Sequence, residues 1–284
     1  MSPLEKLISV LHLKKKGPFI YEGEPIDLGF PRLFGGHVLA QALYASAQEL
    51  PDRRVHSLHA YFIRPGNIKD PLTYEVEPIR DGKSFTTRRV KVSQSGKVIF
   101  SMSSSFQVEE SGFEHQISMP YVPPPEGVDS DLDHTREFAH LIPKMIREKV
   151  TSDQAIEMRT IDLIHPFEPK VRQPEKNAWV RANGKVPNDP LIHECLLAYA
   201  SDFSLLGTSI RPHGVSIIQK HMQVASLDHA MWFHRKISID DWTLYTMDSP
   251  SASGARGFNR GNFFSKDGVL MASVTQEGLI RDRS

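Results

Sequence analysis

Apolar residues recur along this chain with two periods, and the switches between them mark the elements. Leu4, Leu7, Ile8 and Leu11 fall at three- and four-residue steps and predict a short surface-packing helix over Leu4 to Leu13. Phe19 to Leu28 reads as a strand leading to Leu33-Phe34-Gly35-Gly36, a tight entry into a helix over His37 to Leu50. Leu39, Leu43, Ala47 and Leu50 form that helix's expected buried stripe, and Pro51 stops it. Strand-like runs follow at Val55 to Ile63, Leu72 to Ile79, Phe85 to Ser93 and Lys97 to Gln107, with turns at Asp81-Gly82 and Ser95-Gly96. The order is a strand, a helix and an antiparallel meander.

From residue 109 to 151 the pattern dissolves. Four prolines (Pro120, Pro123, Pro124, Pro125) and an acidic run from Asp129 to Asp133 indicate a connection, with a surface helix expected over Glu137 to Lys149. The chain therefore divides into a unit over 1–108, a linker over 109–151 and a second unit over 152–284.

The second unit echoes the first. Ile156 to Ile164 and Asn177 to Ala182 read as strands, and Ile161-Asp162-Leu163 matches Ile26-Asp27-Leu28. Leu43-Tyr44-Ala45-Ser46-Ala47 matches Ala198-Tyr199-Ala200-Ser201-Asp202, inside a helix predicted over Leu191 to Gly207. Ser57-Leu58-His59-Ala60 matches Ser226-Leu227-His229-Ala230 with Asp228 inserted, and Ser95-Gly96 matches Asp267-Gly268. Several echoes in one order indicate duplication. Each long helix is expected inside a curved antiparallel sheet, with the two sheets edge to edge: an α+β fold.

Asp202 breaks the repeat. It shares a helix face with Ala198, Tyr199 and Leu206, while the first copy has Ala47 at that position. A carboxylate on an apolar face is costly unless something pairs with it or uses it. An arginine partner or solvent would satisfy it structurally; retention in one copy only points instead to function. Ser226 on a following strand and Gln276 on the last strand can meet it, and small polar groups facing a helix-borne carboxylate suit a water-holding cluster.

Composition narrows the field. The chain has 284 residues with 34 basic and 34 acidic side chains, so no charged field suggests a nucleic-acid partner. Hydrophobic residues make up 39%, enough to bury a core. The single cysteine, Cys195, sits among apolar helix positions and implies a reducing compartment and a packing role. The lysines at 14–16 follow the first apolar run rather than precede it, and the chain ends Arg-Asp-Arg-Ser. The expectation is a cytoplasmic protein with no membrane insertion. The 13 histidines are scattered without a zinc spacing, so neither metal nor cofactor is expected.

The motifs then become specific. Phe34-Gly35-Gly36-His37-Val38-Leu39-Ala40-Gln41-Ala42-Leu43, His59-Ala60-Tyr61-Phe62-Ile63-Arg64-Pro65-Gly66, Ser226-Leu227-Asp228-His229-Ala230-Met231-Trp232-Phe233-His234, Ala255-Arg256-Gly257-Phe258 and Gln276-Glu277-Gly278 resemble the acyl-CoA thioesterase II family. The resemblance spans nearly the whole chain except the linker. It implies a double hotdog, two hotdog units in one chain, which hydrolyses medium- to long-chain fatty acyl-CoA and assembles as a homo-oligomer, a dimer or tetramer. It also implies that Asp202, Ser226 and Gln276 hold the hydrolytic water. His37 departs from the glutamine usual in the family after the double glycine.

Asp202 would act as general base, a contribution of roughly 10²–10⁴-fold. Strand alternation puts Ser226 and Asp228 on one face and His229 on the other, and no Gly-x-Ser-x-Gly elbow occurs; a serine nucleophile is not expected. Met222, Met231, Trp232, Phe233 and Phe258 are candidates to line an acyl channel, against simple core packing. Arg256 and Arg260 are candidates for the coenzyme A phosphates, against solvated strand charges. Two other readings compete: a hotdog enoyl-CoA hydratase, suggested by Asn188-Asp189-Pro190-Leu191-Ile192-His193 in the wrong register, and a non-catalytic acyl-CoA binding module, which would not need Asp202.

Overall fold

The computed structural model describes residues 1–30 and 32–284. Helix α1 (Pro3–Leu11) opens with a capping box between Ser2 and Glu5. Strands β1 (Lys14–Gly17) and β2 (Ile20–Gly23) precede helix α2 (Gly35–Ala47). Strands β3 (Arg54–Phe62), β4 (Leu72–Asp81), β5 (Phe85–Gln94) and β6 (Lys97–Gln107) complete the first unit. In the connection lie α3 (Asp131–Glu137) and α4 (Lys144–Thr151), two short helices in place of the single one expected. The second unit runs β7 (Ile156–Ile161), β8 (Glu175–Ala182), α5 (Pro190–Ser201), β9 (Met222–Ser226), β10 (Asp228–Phe233), β11 (Thr243–Ser253), β12 (Arg256–Ser265) and β13 (Leu270–Asp282).

The strands make one antiparallel sheet in the order β1-β2-β4-β5-β6-β3-β10-β13-β12-β11-β8-β7, with β9 also paired to β13. The two units join where β3 pairs with β10, Ala60 opposite His229. Each half of the sheet wraps its own helix, and α2 and α5 pack against each other. That enclosure explains why the helices lack a polar stripe: every residue from Gly36 to Leu43 and from Ile192 to Ser201 is buried. At ~25 cal/mol per Å², burial on all faces is what stabilises such helices, because their own hydrogen bonds contribute little net. The fold is a double hotdog.

The connection covers the outer face of the second half. Met119, Val122 and Val128 pack on Trp179, Trp242, Leu244, Phe264 and Leu270, and the Trp179 indole donates to the Pro123 carbonyl at 2.8 Å. Two sequence expectations shift. The lysine-rich β1 is an extra edge strand, and Ile26 to Leu28 lies outside β2. Helix α5 stops at Ser201 rather than Gly207, because Ser204 takes a left-handed conformation (φ 65°) before a 3₁₀ helix over Leu206–His213.

Candidate active site

Because α5 ends early, Asp202 is its C-cap rather than a mid-helix residue. A carboxylate at a helix C-terminus faces the negative end of that helix's dipole, an unfavourable placement of roughly 0.3–1 kcal/mol. The other unit offsets it. The N-terminus of α2 meets Asp202, and the Gly36 N–H donates to Asp202 Oδ2 at 2.8 Å. Asp202 Oδ1 accepts from Ser226 Oγ at 3.2 Å and from Gln276 Nε2 at 2.6 Å. Three donors from α2, β9 and β13 therefore converge on one carboxylate.

The two glycines that begin α2 are required by proximity. A Cβ on Gly35 would stand 2.7 Å from Asp202 Oδ2 and 2.8 Å from the Phe62 ring, and one on Gly36 would stand 2.4 Å from the Tyr199 carbonyl oxygen. Aromatic rings border the same place. Phe34 stacks on Phe203 with centroids 4.3 Å apart and meets Tyr199 edge-on at 5.2 Å.

Beneath the carboxylate lies a second polar layer. Gln276 Nε2 is also 3.1 Å from His229 Nδ1, and His229 Nε2 is 2.9 Å from Ser201 Oγ. Ser201 Oγ donates to the Ala198 carbonyl at 2.8 Å, and the Ser201 carbonyl accepts from the Tyr245 hydroxyl at 2.8 Å. Burial lowers the His229 pKa to about 4 against an opposing pull from the Asp202 charge, so the ring is neutral at pH 7. The alternation argument fails here. The ladder breaks at Leu227 between β9 and β10, so Ser226 and His229 both reach the site while Asp228 turns outward to accept from the Glu277 N–H.

The proposed channel and phosphate residues lie elsewhere. In β12, Gly257 and Asn259 face inward, which turns Arg256, Phe258 and Arg260 to the outer face of the sheet. Arg256 pairs there with Glu277 at 2.9 Å and Arg260 with Asp248 at 2.5 Å. Trp232 is also outward, edge-on to His59 at 5.3 Å. Met231 faces inward but is wholly buried in the core. Strict alternation turns all four outward side chains away from Asp202, so Trp232 and Phe258 do not line a channel beside it, while Arg256 and Arg260 stand exposed at the surface in their ion pairs. His37 is buried with Nε2 3.0 Å from the Glu24 carbonyl oxygen and does not join the Asp202 hydrogen bonds.

The hydratase-like stretch is a helix start. Asp189 caps α5 by accepting from the Leu191 N–H, at the opposite end of the helix from Asp202, about 20 Å away at 1.5 Å per residue. His193 Nδ1 accepts from the Ile239 N–H. Among the described residues no three His, Cys, Asp or Glu side chains stand close enough to hold a metal ion, and no helix is long and apolar enough to cross a membrane. Sequence reasoning missed the Gly36 amide and His229 as parts of the site, although both stand in motifs it singled out.

A double hotdog whose helix-end carboxylate is ringed by a hydroxyl, an amide and a backbone N–H defines a class, and comparisons agree. The model of the family described as acyl-CoA thioesterase matches residues 145–279, and that of the acyl-CoA thioesterase N-terminal domain matches residues 24–107. The chain belongs to the acyl-CoA thioesterase family and is a thioester hydrolase. Among its relatives, acyl-CoA thioesterase 2 of Haemophilus influenzae is 43% identical over 279 residues, 98% of each chain. Acyl-coenzyme A thioesterase 8 of Mus musculus is 40% identical over 290 residues, 96% of this chain and 88% of the relative. The crystal structure of the acyl-CoA thioesterase II TesB2 from Mycobacterium marinum superposes with a TM-score of 0.80 at 39% identity, covering 98% of this chain and 99% of that one.

Proposed function

We propose that this chain hydrolyses medium- to long-chain fatty acyl-CoA by direct attack of a water molecule, with Asp202 as general base and Ser226 and Gln276 as its positioning groups. One observation carries the reading. A carboxylate offers about four lone-pair directions. Ser226 and Gln276 use both of those on Oδ1 and Gly36 uses one on Oδ2, leaving one on Oδ2 to accept a proton. Water attacks the thioester carbonyl carbon as its proton passes to Asp202 Oδ2. The tetrahedral intermediate then collapses, the C–S bond breaks, and the proton goes to the departing thiolate.

Gln276 takes the acceptor side of this chemistry. Its two amide hydrogens point to Asp202 and His229, while its Oε1 is buried without a partner in the protein. It therefore orients water by accepting a hydrogen bond and has no donor left for the oxyanion. The positive end of α2 is the group suited to the developing negative charge. Phe34, Phe62, Tyr199 and Phe203 supply an apolar wall beside the carboxylate, which supports a fatty acyl chain.

A cytoplasmic location is proposed from the single buried thiol of Cys195, which suits a reducing compartment. Assembly into a homo-oligomer is proposed from the connection, where Phe113 and Tyr121 are fully exposed aromatics. Release of coenzyme A from acyl-CoA of graded chain length, followed with a thiol reagent, tests the activity. Mass spectrometry during turnover tests the chemistry: no acyl adduct is expected on Ser226. Trapping one would overturn the direct-water route, and release confined to short chains would overturn the substrate class.

A further inference from the structure

We propose that His229 is a positioning residue for hydrolysis: as a neutral imidazole it accepts the second amide hydrogen of Gln276, which holds the Gln276 oxygen toward the reacting water. The proposal rests on the reading of Asp202 and Gln276 given above.

Hydrogen-bond logic fixes each group in turn. Gln276 must present its NH₂ to Asp202, because the reverse orientation would set an amide oxygen 2.6 Å from a carboxylate oxygen. That NH₂ has one further hydrogen, and His229 Nδ1 lies 3.1 Å away to receive it. Nδ1 is then an acceptor, so the ring proton is on Nε2 and is donated to Ser201 Oγ at 2.9 Å. Ser201 can accept it, because its own hydroxyl hydrogen goes to the Ala198 carbonyl. The donors along this chain all find acceptors in this arrangement, and Gln276 Oε1 is the one atom left over. His229 is wholly buried, so no solvent competes for these partners.

The duplicated unit provides an internal control. In the first half, Leu58 on β3 stands opposite Ser104 on β6. In the second, the register that sets Ala230 opposite Thr275 brings His229 beside Gln276. The sheet register corrects the sequence match of His229 with His59, whose side chain is exposed on the outer face of β3; the counterparts of Asp202, Gln276 and His229 are Ala47, Ser104 and Leu58. Ser46 and Ser201 match, and each hydroxyl donates to the carbonyl three residues earlier, to Leu43 and Ala198. The helix serine is common to both copies and serves the helix. The imidazole occurs only where the carboxylate and the amide occur. A histidine needed merely to fill the seam between the half-sheets would have no reason to follow them.

The test uses the full chain with four substitutions. His229→Leu copies the silent unit, His229→Asn keeps an acceptor near the Nδ1 position, His229→Gln moves it toward Nε2, and Gln276→Ala removes the amide that His229 steers. His229→Leu and His229→Gln are expected to lower kcat ~10–100-fold with KM changed less than about twofold, as for a misplaced catalytic group. His229→Asn is expected to restore kcat to within about fivefold of wild type. Adding His229→Leu to Gln276→Ala is expected to change kcat by less than about twofold, since the group it acts through is gone. Equal losses for Asn and Gln, an undiminished loss in the Gln276→Ala background, or an unaffected kcat for His229→Leu would each overturn the proposal. If Leu prevents folding, the contrast between Asn and Gln decides alone. Near-normal turnover by Gln276→Ala itself would instead sink the reading of the site on which the proposal depends.

Discussion

Asparagine at position 202 separates the carboxylate's chemistry from its shape. Asp202→Asn keeps the volume but replaces one acceptor oxygen with an NH₂ donor. The two sides of the group are both occupied by donors: Gln276 and Ser226 at one oxygen, the Gly36 N–H at the other. Whichever way the new amide turns, one donor faces another. If the oxygen stays with Gln276 and Ser226, the NH₂ confronts Gly36 at what was a 2.8 Å hydrogen bond. A buried donor left without a partner costs about 1–3 kcal/mol. For a chain of 284 residues the unfolding entropy is about 0.6 kcal/mol per kelvin, so Tm should fall by roughly 2–5 °C. The effect on turnover is larger. Without a general base kcat should fall ~10²–10⁴-fold, or about 3–5 kcal/mol of barrier. Steady-state release of coenzyme A at saturating substrate and a thermal melt of the same preparation measure both. A kcat within tenfold of wild type, with the expected drop in Tm, would refute the assignment of Asp202 as base.

Ser226→Ala removes the longer of the two hydrogen bonds to Oδ1, 3.2 Å against 2.6 Å for Gln276. Its kcat should fall by no more than ~10-fold and clearly less than for Gln276→Ala, by coenzyme A release. Gly36→Ala should lower both Tm and kcat, since a methyl 2.4 Å from the Tyr199 carbonyl must push α2 away from Asp202; calorimetry and kinetics on one sample check the pair. Arg54→Ala exposes a pH-dependent term, because burial raises the pKa of Glu194 to about 7 even beside the Arg54 guanidinium 2.6 Å away. A folded pKa above the unfolded value means that Glu194's contribution is fully present below pH ~4.5 and is lost as pH rises through 7. At pH 8 the ionised Glu194 needs Arg54, so the variant should lose roughly 1.5–3 kcal/mol there and much less at pH 5, by urea unfolding. Equal losses at both pH values would refute the pairing.

What the sequence disclosed depended on whether the signal was local. The meander from β3 to β6 was legible because alternation and Gly turns are local properties. Strand β1 was not, because an exposed edge strand of lysines carries no apolar pattern. Asp202 stood out through its contrast with Ala47. Its position as a helix cap was hidden, since only the left-handed Ser204 reveals that α5 stops short of Gly207. Gly35 and Gly36 were read as a turn; their contact with Asp202 involves a residue 166 positions away along the chain. His229 was assigned to the wrong face because a one-residue break in a ladder, at Leu227, leaves no trace in periodicity.

The seam between β3 and β10 has a further consequence for how many turnover centres a molecule can hold. Asp202, Ser226 and Gln276 sit on one half and the Gly36 N–H that meets Asp202 on the other, so neither half alone supplies all three donors to that carboxylate. A duplicated protein that began with two equivalent clefts would need both to be restored by several coordinated changes at Ala47, Leu58 and Ser104. With Asp202 proposed as the base, one catalytic event at a time per polypeptide is implied, with the half that carries Ala47, Leu58 and Ser104 as scaffold for its twin.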